Sequence, residues 1–462
     1  MNTERILKNI SKILFLIGFG DCWYDEEHGE TAIYKIYSYL AFLINDVFVI
    51  LELLAGYFFQ NFPPNYVNSA KTLGLTHAVI LIKRYSIRNN RLKIRDINRN
   101  MVKTCRLFED DDIYRKQYKR VKYNSLFYTI AVFTTVFLIF YNSANVSNVS
   151  GRLSWYSRNK DKELFETFSV VWTRHKMTVH CLMLSWITVH NRRRMLLQLN
   201  DQMNTNCLST LDLFMLFSDE PLLIVVTYWP KYEDRSTLAG VVRVILGSLL
   251  FFKMIIMTSM DVFVTSHLII FQHKYITLRK YFNKLKEDFD NNLTDKEEIK
   301  AAKLRKGFRD GIIMHQELLG YFFFYLPILG FRSKKRNPFR FVMSVCLILG
   351  IHNMTIIVGI IDAFFLLALL VLLASILWNA GEVTYEASLM PEAMFNCGWH
   401  MSAMAQPAHQ DVRQLVLMAC AQAQRPVVMK AFAISDLSYA LYVVLKTTYS
   451  IFAVMYRRNE SK

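Results

Sequence analysis

Residues 360–378 read IIDAFFLLALLVLLASILW, and this stretch decides the fold. It holds 19 residues with a single charged side chain, Asp362, close to its start. A helix of this length crosses the hydrocarbon core of a bilayer, which is about 30 Å thick. A buried core helix of a soluble protein is the alternative, but uninterrupted apolar runs of this kind are rare there. The stretch therefore predicts a transmembrane helix.

Six further apolar blocks recur along the chain, and none shows the alternating pattern of a β-strand. Within a bilayer the backbone forms only helices or closed barrels, because no water is present to satisfy its polar groups. We therefore predict an all-α membrane protein with seven transmembrane helices. The other six blocks are 34–58, 70–87, 125–141, 240–271, 340–358 and 434–456.

Positive charges orient these spans. Segment 88–122 carries twelve Lys and Arg residues and segment 273–311 carries eleven, whereas 57–69 carries none. Because Lys and Arg gather on the cytoplasmic side of a membrane, the two basic segments are expected to be inner loops. The N-terminus is then cytoplasmic and the C-terminus extracellular, and the N-glycosylation sequons at Asn145 and Asn148 lie outside. The net charge of +17 favours contact with anionic lipid, not with nucleic acid.

The same pattern divides the chain into regions. Residues 1–33 are predicted to contain an amphipathic cytosolic helix, since they lack the small-residue cleavage site of a signal peptide. Spans one to six occupy 34–380, with a long outer loop at 142–239. Within that loop, the apolar patch 181–189 is too short to span; if it crossed, every later orientation would be reversed. The basic stretch FRSKKRNPF at 331–339 interrupts the fifth apolar block, and the membrane pattern does not explain it.

Signals of catalysis and of cofactor binding are absent from the sequence. It contains no phosphate-binding, dinucleotide-binding, zinc-protease or hydrolase motif, and its seven cysteines lack zinc-ligand spacing. We therefore expect no enzyme activity, no cofactor and no metal site. Asp46, Glu52 and Asp261 lie in or near spans, where acids are candidate functional residues. They lack obvious basic partners, and the paired, broken spans of a secondary transporter are missing, which disfavours a transporter.

The C-terminal third carries short motifs in a fixed order. A Gly after the sixth span is followed by Glu-x-Ser, Trp, Gln-Arg-Pro and a terminal Thr-Tyr-Ser; upstream stand TYWPKYED at 227–234 and MHQELLGYFF at 314–323. In this order the motifs resemble those of insect odorant receptors, in the form of the tuning subunits rather than the obligate co-receptor. The matching residues are Gly381, Glu386, Ser388, Trp399, Gln424, Arg425, Pro426, Thr448, Tyr449 and Ser450.

The resemblance implies an odorant-gated, non-selective cation channel in the plasma membrane of a sensory-neuron dendrite. A tuning receptor and its co-receptor form a heterotetramer around one pore. Residues 381–430 would form a cytosolic anchor segment, and 431–457 the pore-lining helix. Gustatory receptors share the fold and a similar terminal motif, and they are the nearest alternative. The resemblance gives anchor roles to Trp399, Gln424, Arg425 and Pro426, and pore-facing positions to Phe452 and Tyr456.

The implied ligand is a small apolar volatile, which needs a pocket of aromatic and aliphatic side chains with few polar groups. In the family this pocket lies in the outer half of the bundle, among helices two, three, four and six. Tyr141 could donate a hydrogen bond to a carbonyl or alcohol while its ring packs. Plain helix packing is the alternative role for each of these residues and for the pore-facing pair. The candidate ligand-binding residues are Leu73, His77, Thr134, Phe137, Leu138, Tyr141, Leu246, Leu250 and Phe251.

Overall fold

The computed structural model describes residues 3–23, 30–58, 64–105, 110–158, 236–291, 297–328, 374–401 and 407–425, with short pieces at 229, 427, 430–431 and 435–436. Nearly all of these residues are helical. The helices are α1 Thr3–Leu16, α2 Ala32–Phe58, α3 Pro64–Asn89, α4 Arg91–Cys105, α5 Asp111–Arg158, α6 Thr237–Asn291, α7 Glu297–Ile328, α8 over 374–388, α9 Met390–Phe395 and α10 Pro407–Ala423. A 3₁₀ turn covers Trp399–Met401, and two strands of two residues, Lys430–Ala431 and Ser435–Asp436, pair antiparallel.

Long helices cover the first four predicted spans. Two of the described helices are both long and apolar enough to cross a bilayer, over Ala32–Ala55 in α2 and Thr237–Asn291 in α6. Helices α3 and α5 contain the blocks 70–87 and 125–141, and α2 packs along α3 while α5 packs along α6. The number of spans stays a prediction, because three predicted blocks fall wholly or mostly outside the described residues: 340–358, 360–378 and 434–456.

The two basic segments, expected as inner loops, are largely helical. Helix α4 lies within 88–122 and buries Ile94, Ile97 and Met101 at helical spacing, while Lys93 is exposed. Helix α6 continues without a break through the second basic segment to Asn291, and α7 begins at Glu297. Amphipathic spacing therefore continues into these segments and gives them an apolar face to bury. We call the part of the molecule that contains residues 88–122 and 273–311 the basic end.

The basic end has one continuous core. Helix α1 packs against α4 and α6. Of the apolar residues that recur at helical spacing, Ile6, Leu7, Ile10 and Leu14 are buried, whereas Ile13 is exposed. Helices α6 and α7 approach each other closely at Gly311 in α7. A Cβ atom there would stand 2.6 Å from Cζ of Phe282, so glycine is required for this helix pair to pack.

Asp110 fixes the start of α5. Its Oδ1 accepts hydrogen bonds from the backbone N–H groups of Asp112 at 2.8 Å and Ile113 at 3.4 Å, as a helix N-cap does. Its Oδ2 pairs with Nζ of Lys280 on α6 at 2.8 Å. The Lys280 hydrogen bond, followed by the bond from Asp112, holds the pKa of Asp110 below its usual value. The acidic run EDDD at 109–112 thus contains a capping residue.

Candidate functional site

Three buried charged or titratable side chains meet where α2, α3 and α6 converge. Oε2 of Glu52 on α2 lies 2.6 Å from Nδ1 of His77 on α3 and 3.3 Å from Nζ of Lys253 on α6. The three side chains are 1%, 1% and 4% exposed. Ion pairs at this depth are costly to desolvate and persist only when their partners lie in good geometry. We call these three residues the polar triad.

Phe48 joins the polar triad to an apolar cluster. Nζ of Lys253 lies 3.8 Å from the centroid of the Phe48 ring, within the range of a cation–π contact. The same ring lies 6.3 Å from the ring of His77. Phe48, 2% exposed, also belongs to an apolar cluster with Tyr128 of α5 and Leu250 of α6. A molecule bound beside Phe48 would therefore meet charge on one side and an apolar surface on the other.

Two polar atoms of the triad are buried without a partner. Within the part of the chain that the structure describes, neither Oε1 of Glu52 nor Nε2 of His77 has a hydrogen-bond partner. A buried carboxylate oxygen or imidazole nitrogen left unsatisfied costs about 1–3 kcal/mol. Such atoms in a native structure require an explanation, and a ligand or an ordered water supplies one.

Four of the predicted ligand-binding residues lie at this site. His77 is a member of the polar triad. Leu246 and Leu250 are buried in the apolar cluster, and Phe251 packs against its edge. These four residues lie on α3 and α6, which contain the second and fourth predicted spans. Both spans were expected to line the pocket. Whether they bind a ligand stays a prediction.

Five predicted ligand-binding residues remain, and six residues with other predicted roles lie outside the described part of the chain. Thr134 is exposed on the surface of α5. For Leu73 on α3, and for Phe137, Leu138 and Tyr141 on α5, the helix backbone is described but the side chains are not. The following lie outside the described residues: Pro426, Thr448, Tyr449, Ser450, Phe452 and Tyr456.

The expectation that the acids of the spans lack basic partners is wrong for Glu52 and Asp261. Glu52 pairs with Lys253, and Oδ1 of Asp261 lies 3.2 Å from Nζ of Lys83. Asp46 accepts a hydrogen bond from the Tyr85 hydroxyl. Each partner comes from a different helix, so proximity in sequence could not reveal it. Lys253 stands inside an apolar block, and an intramembrane lysine was the signal that could have found the triad.

The anchor segment, 381–430, packs onto the basic end. Val412, Val416 and Cys420 of α10 are buried in the same core as Phe282 of α6 and Phe308 of α7. These contacts join the anchor segment to both helices of the α6–α7 pair.

Polar contacts fix the two ends of this segment. At its start, Glu386 pairs with Arg279 of α6 at 2.9 Å. The half-buried Trp399 donates from Nε1 to the carbonyl oxygen of Phe395 at 2.8 Å. The side chains of Gln424 and Arg425 are exposed at the end of α10.

The thiols of the anchor segment act as apolar side chains. Cys397 and Cys420 are buried and free. Burial raises the pKa of Cys397 to about 11, so this thiol stays protonated at neutral pH. In the described residues no group of three or more His, Cys, Asp or Glu side chains is arranged to hold a metal ion.

Comparison with known proteins gives one family and one fold. The model of a family described as 7tm odorant receptor matches residues 185–449, more than half of the chain. Two matching structures are of the insect olfactory receptor OR5 from Machilis hrabei, one of them in complex with eugenol. Both structures are 10% identical to this chain, and each match covers 98% of it. The match covers 98% of the receptor in the eugenol complex, with a TM-score of 0.63, and 97% of the other receptor, with a TM-score of 0.64. At this identity the likeness shows the fold alone, and it confirms the predicted all-α membrane fold. No curated protein sequence matches the chain.

Proposed function

This chain belongs to the insect odorant receptor family, a family of membrane receptors rather than enzymes, and from that we propose that it is an odorant-gated cation channel subunit. It would act in the plasma membrane of a sensory-neuron dendrite, as a tuning subunit assembled with a co-receptor. The observation that carries the proposal is the family match over residues 185–449. That range includes the anchor segment and the Thr448-Tyr449 step of the predicted pore helix.

The site described above supports a ligand-binding role. Phe48, Leu246 and Leu250 offer an apolar surface, and the polar triad beside them offers a few fixed polar atoms. Pockets for small molecules combine these two features. A ligand opens a channel only if it binds the open state more tightly than the closed state. The triad ties three helices together at this point, so a ligand that repositions one of them acts on all three.

Helix α6 supplies a physical connection from this site to the anchor segment. It is a single helix of 55 residues, about 80 Å long at 1.5 Å per residue. Lys253 on this helix belongs to the polar triad, and Phe282 on the same helix packs in the core that holds α10. The two positions are about 40 Å apart along the axis. A rigid-body shift of α6 at the ligand site would therefore be felt at the anchor segment.

The anchor segment is proposed to carry the contacts between subunits. A closed ring of subunits around one pore needs a surface that is repeated in every subunit. Trp399, Gln424, Arg425 and Pro426 hold this role by resemblance. The exposed side chains of Gln424 and Arg425 are compatible with it.

The terminal helix, 431–457, is proposed to line the pore, with Phe452 and Tyr456 forming an apolar gate that closes by dewetting. Substituting Phe452→Ser should then raise the current in the absence of odorant, because a hydroxyl side chain favours water in the constriction. If the aromatic side chains only pack against a neighbouring helix, the same substitution should lower surface expression and leave the basal current unchanged.

Co-expression in Xenopus oocytes tests the proposed function. The full-length chain with an odorant co-receptor should give cation current in response to volatiles, and the chain alone should give little or none. Current in response to sugars or bitter compounds but not to volatiles would indicate a gustatory receptor. Uptake of substrate without current would indicate a transporter.

Antibody staining of a C-terminal tag on unpermeabilised cells tests the orientation. An extracellular C-terminus predicts a signal on the intact cells. A signal that appears only after permeabilisation would overturn the topology.

A further inference from the structure

We propose that the polar triad selects ligands by a hydroxyl group, so that this receptor responds to small apolar alcohols in preference to ketones, aldehydes or esters of the same skeleton. The hydroxyl would donate its hydrogen to Oε1 of Glu52. This inference rests on the proposed function, since it names the ligand class of the same site.

The first step is the hydrogen-bond polarity of the triad. Oε2 of Glu52 is a carboxylate oxygen and accepts, so Nδ1 of His77, 2.6 Å away, carries a hydrogen and donates it. Nζ of Lys253 donates to the same oxygen at 3.3 Å. Both of these hydrogen bonds use Oε2 of Glu52.

The second step is the other oxygen of the same carboxylate. Oε1 of Glu52 can only accept a hydrogen bond, and it has no partner among the described residues. The group missing from the site is therefore a hydrogen-bond donor.

The third step identifies the donor class. Ketones, aldehydes, esters and ethers have no hydrogen to donate and would place an oxygen lone pair against Oε1 of Glu52. A protonated amine would donate, but it would also bring an uncompensated positive charge beside Lys253. A neutral alcohol or phenol donates without charge. Its bond to Glu52 would be charge-assisted, and such bonds are about twice as strong as neutral ones.

The apolar part of the ligand has a defined neighbour. The Phe48 ring contacts both Lys253 and His77 and belongs to the cluster that contains Leu250 and Tyr128. A hydrocarbon chain or ring attached to the hydroxyl would lie along this face. Lys253 already donates to Oε2 of Glu52 and faces the Phe48 ring, whereas Oε1 of Glu52 has no partner among the described residues, so this oxygen is the anchor.

Matched pairs of odorants test the inference on the wild-type complex. The full-length chain is co-expressed with the co-receptor, and dose–response curves are recorded for 2-octanol against 2-octanone and for 1-phenylethanol against acetophenone. The members of each pair share a carbon skeleton and differ in the hydroxyl donor. We expect the half-maximal concentration to be about 10-fold to 100-fold lower for each alcohol, the range for one charge-assisted hydrogen bond. Equal half-maximal concentrations for the alcohol and the ketone in both pairs would overturn the inference. This result is expected if an ordered water, rather than the ligand, donates to Oε1 of Glu52.

A paired substitution gives a sharper test. Glu52→Gln combined with Lys253→Met keeps the site neutral, and the glutamine carbonyl can still accept from Nδ1 of His77. Its amide nitrogen then replaces Oε1 and donates, and because alcohol and ketone oxygens both accept, the preference for the alcohols should be lost. Asp110→Asn is the matched control, because it removes an exposed carboxylate charge at the basic end and keeps a capping residue. An unchanged alcohol preference in the paired variant would count against the role of Glu52.

The outcomes separate this inference from the proposed function. Current evoked by ketones or esters but not by alcohols would overturn the hydroxyl preference and leave odorant gating intact. If no volatile evokes current from a complex that reaches the cell surface, both the preference and the proposed function fail.

Discussion

The most informative single change in this protein is Lys253→Met. Methionine keeps the length of the lysine stem but removes the ammonium group. Glu52, 1% exposed, would then retain only His77 as a partner for its charge. Removing one member of a buried ion pair costs about 3–5 kcal/mol, because the other charge remains buried and uncompensated. Glu52→Gln should cost a similar amount, since Lys253 would keep only the Phe48 ring.

The double variant should be more stable than either single variant. With Glu52→Gln and Lys253→Met combined, no uncompensated charge remains, and replacement of a buried ion pair by neutral side chains is often close to neutral. We expect the double variant to lie within about 1 kcal/mol of the wild type. The coupling between the two positions is then several kcal/mol, well above the usual range for independent sites.

Thermal stability of the solubilised receptor measures this coupling. The full-length chain is fused to a fluorescent protein and co-expressed with the co-receptor, and its melting midpoint is followed by size-exclusion chromatography after heating. Lys280→Met is the matched control on the same helix, because its ion pair with Asp110 is exposed and should contribute about 0–1 kcal/mol. Midpoints that fall additively, with the double variant the least stable, would refute the coupling of Glu52 and Lys253.

Two further predictions concern the basic end. Gly311→Ala should lower the melting midpoint, since the new Cβ would stand 2.6 Å from the Phe282 ring. Gly320→Ala on the same helix would meet none of the described residues within 4 Å and should be neutral or stabilising. Equal effects of the two substitutions would contradict the close approach at Gly311. Asp110→Ala should cost about 1 kcal/mol by loss of the α5 cap. Because the pKa of Asp110 is depressed, its stabilisation is present above the usual value of 3.8 and is lost as pH falls below it. The stability difference between Asp110→Ala and wild type, measured by thermal melts at several pH values, should therefore shrink below pH 3.8; a constant difference would exclude an electrostatic contribution.

Features set by local spacing could be predicted from the sequence. The apolar residues Ile6, Leu7, Ile10, Ile13 and Leu14 recur at helical spacing, and the structure buries all of them on α1 except Ile13, which is 44% exposed. The order of motifs in the C-terminal third led to the correct family and the correct fold. Periodicity and composition act within one or two helical turns, so a single sequence contains the whole signal.

Features set by contacts between helices could not be predicted in this way. Glu52 and Lys253 are 201 positions apart in the chain, and Lys83 and Asp261 are 178 apart. Nothing in the spacing of either residue points to its partner. The helical form of the basic segments was missed for a related reason. Charge density suggested loops, whereas the buried face of α4, with Ile94, Ile97 and Met101, stabilises a helix there through tertiary packing.

The surroundings of the polar triad support its proposed role in ligand recognition. On one side the triad borders the apolar cluster that contains Phe48, Leu246 and Leu250, the kind of surface that a small apolar ligand requires. Within the triad, the carboxylate of Glu52 is paired with the ammonium group of Lys253, which favours a neutral occupant. Because Lys253 lies on a helix that continues to the anchor core, an occupant that shifts this residue acts directly on the part of the molecule proposed to hold the subunits together.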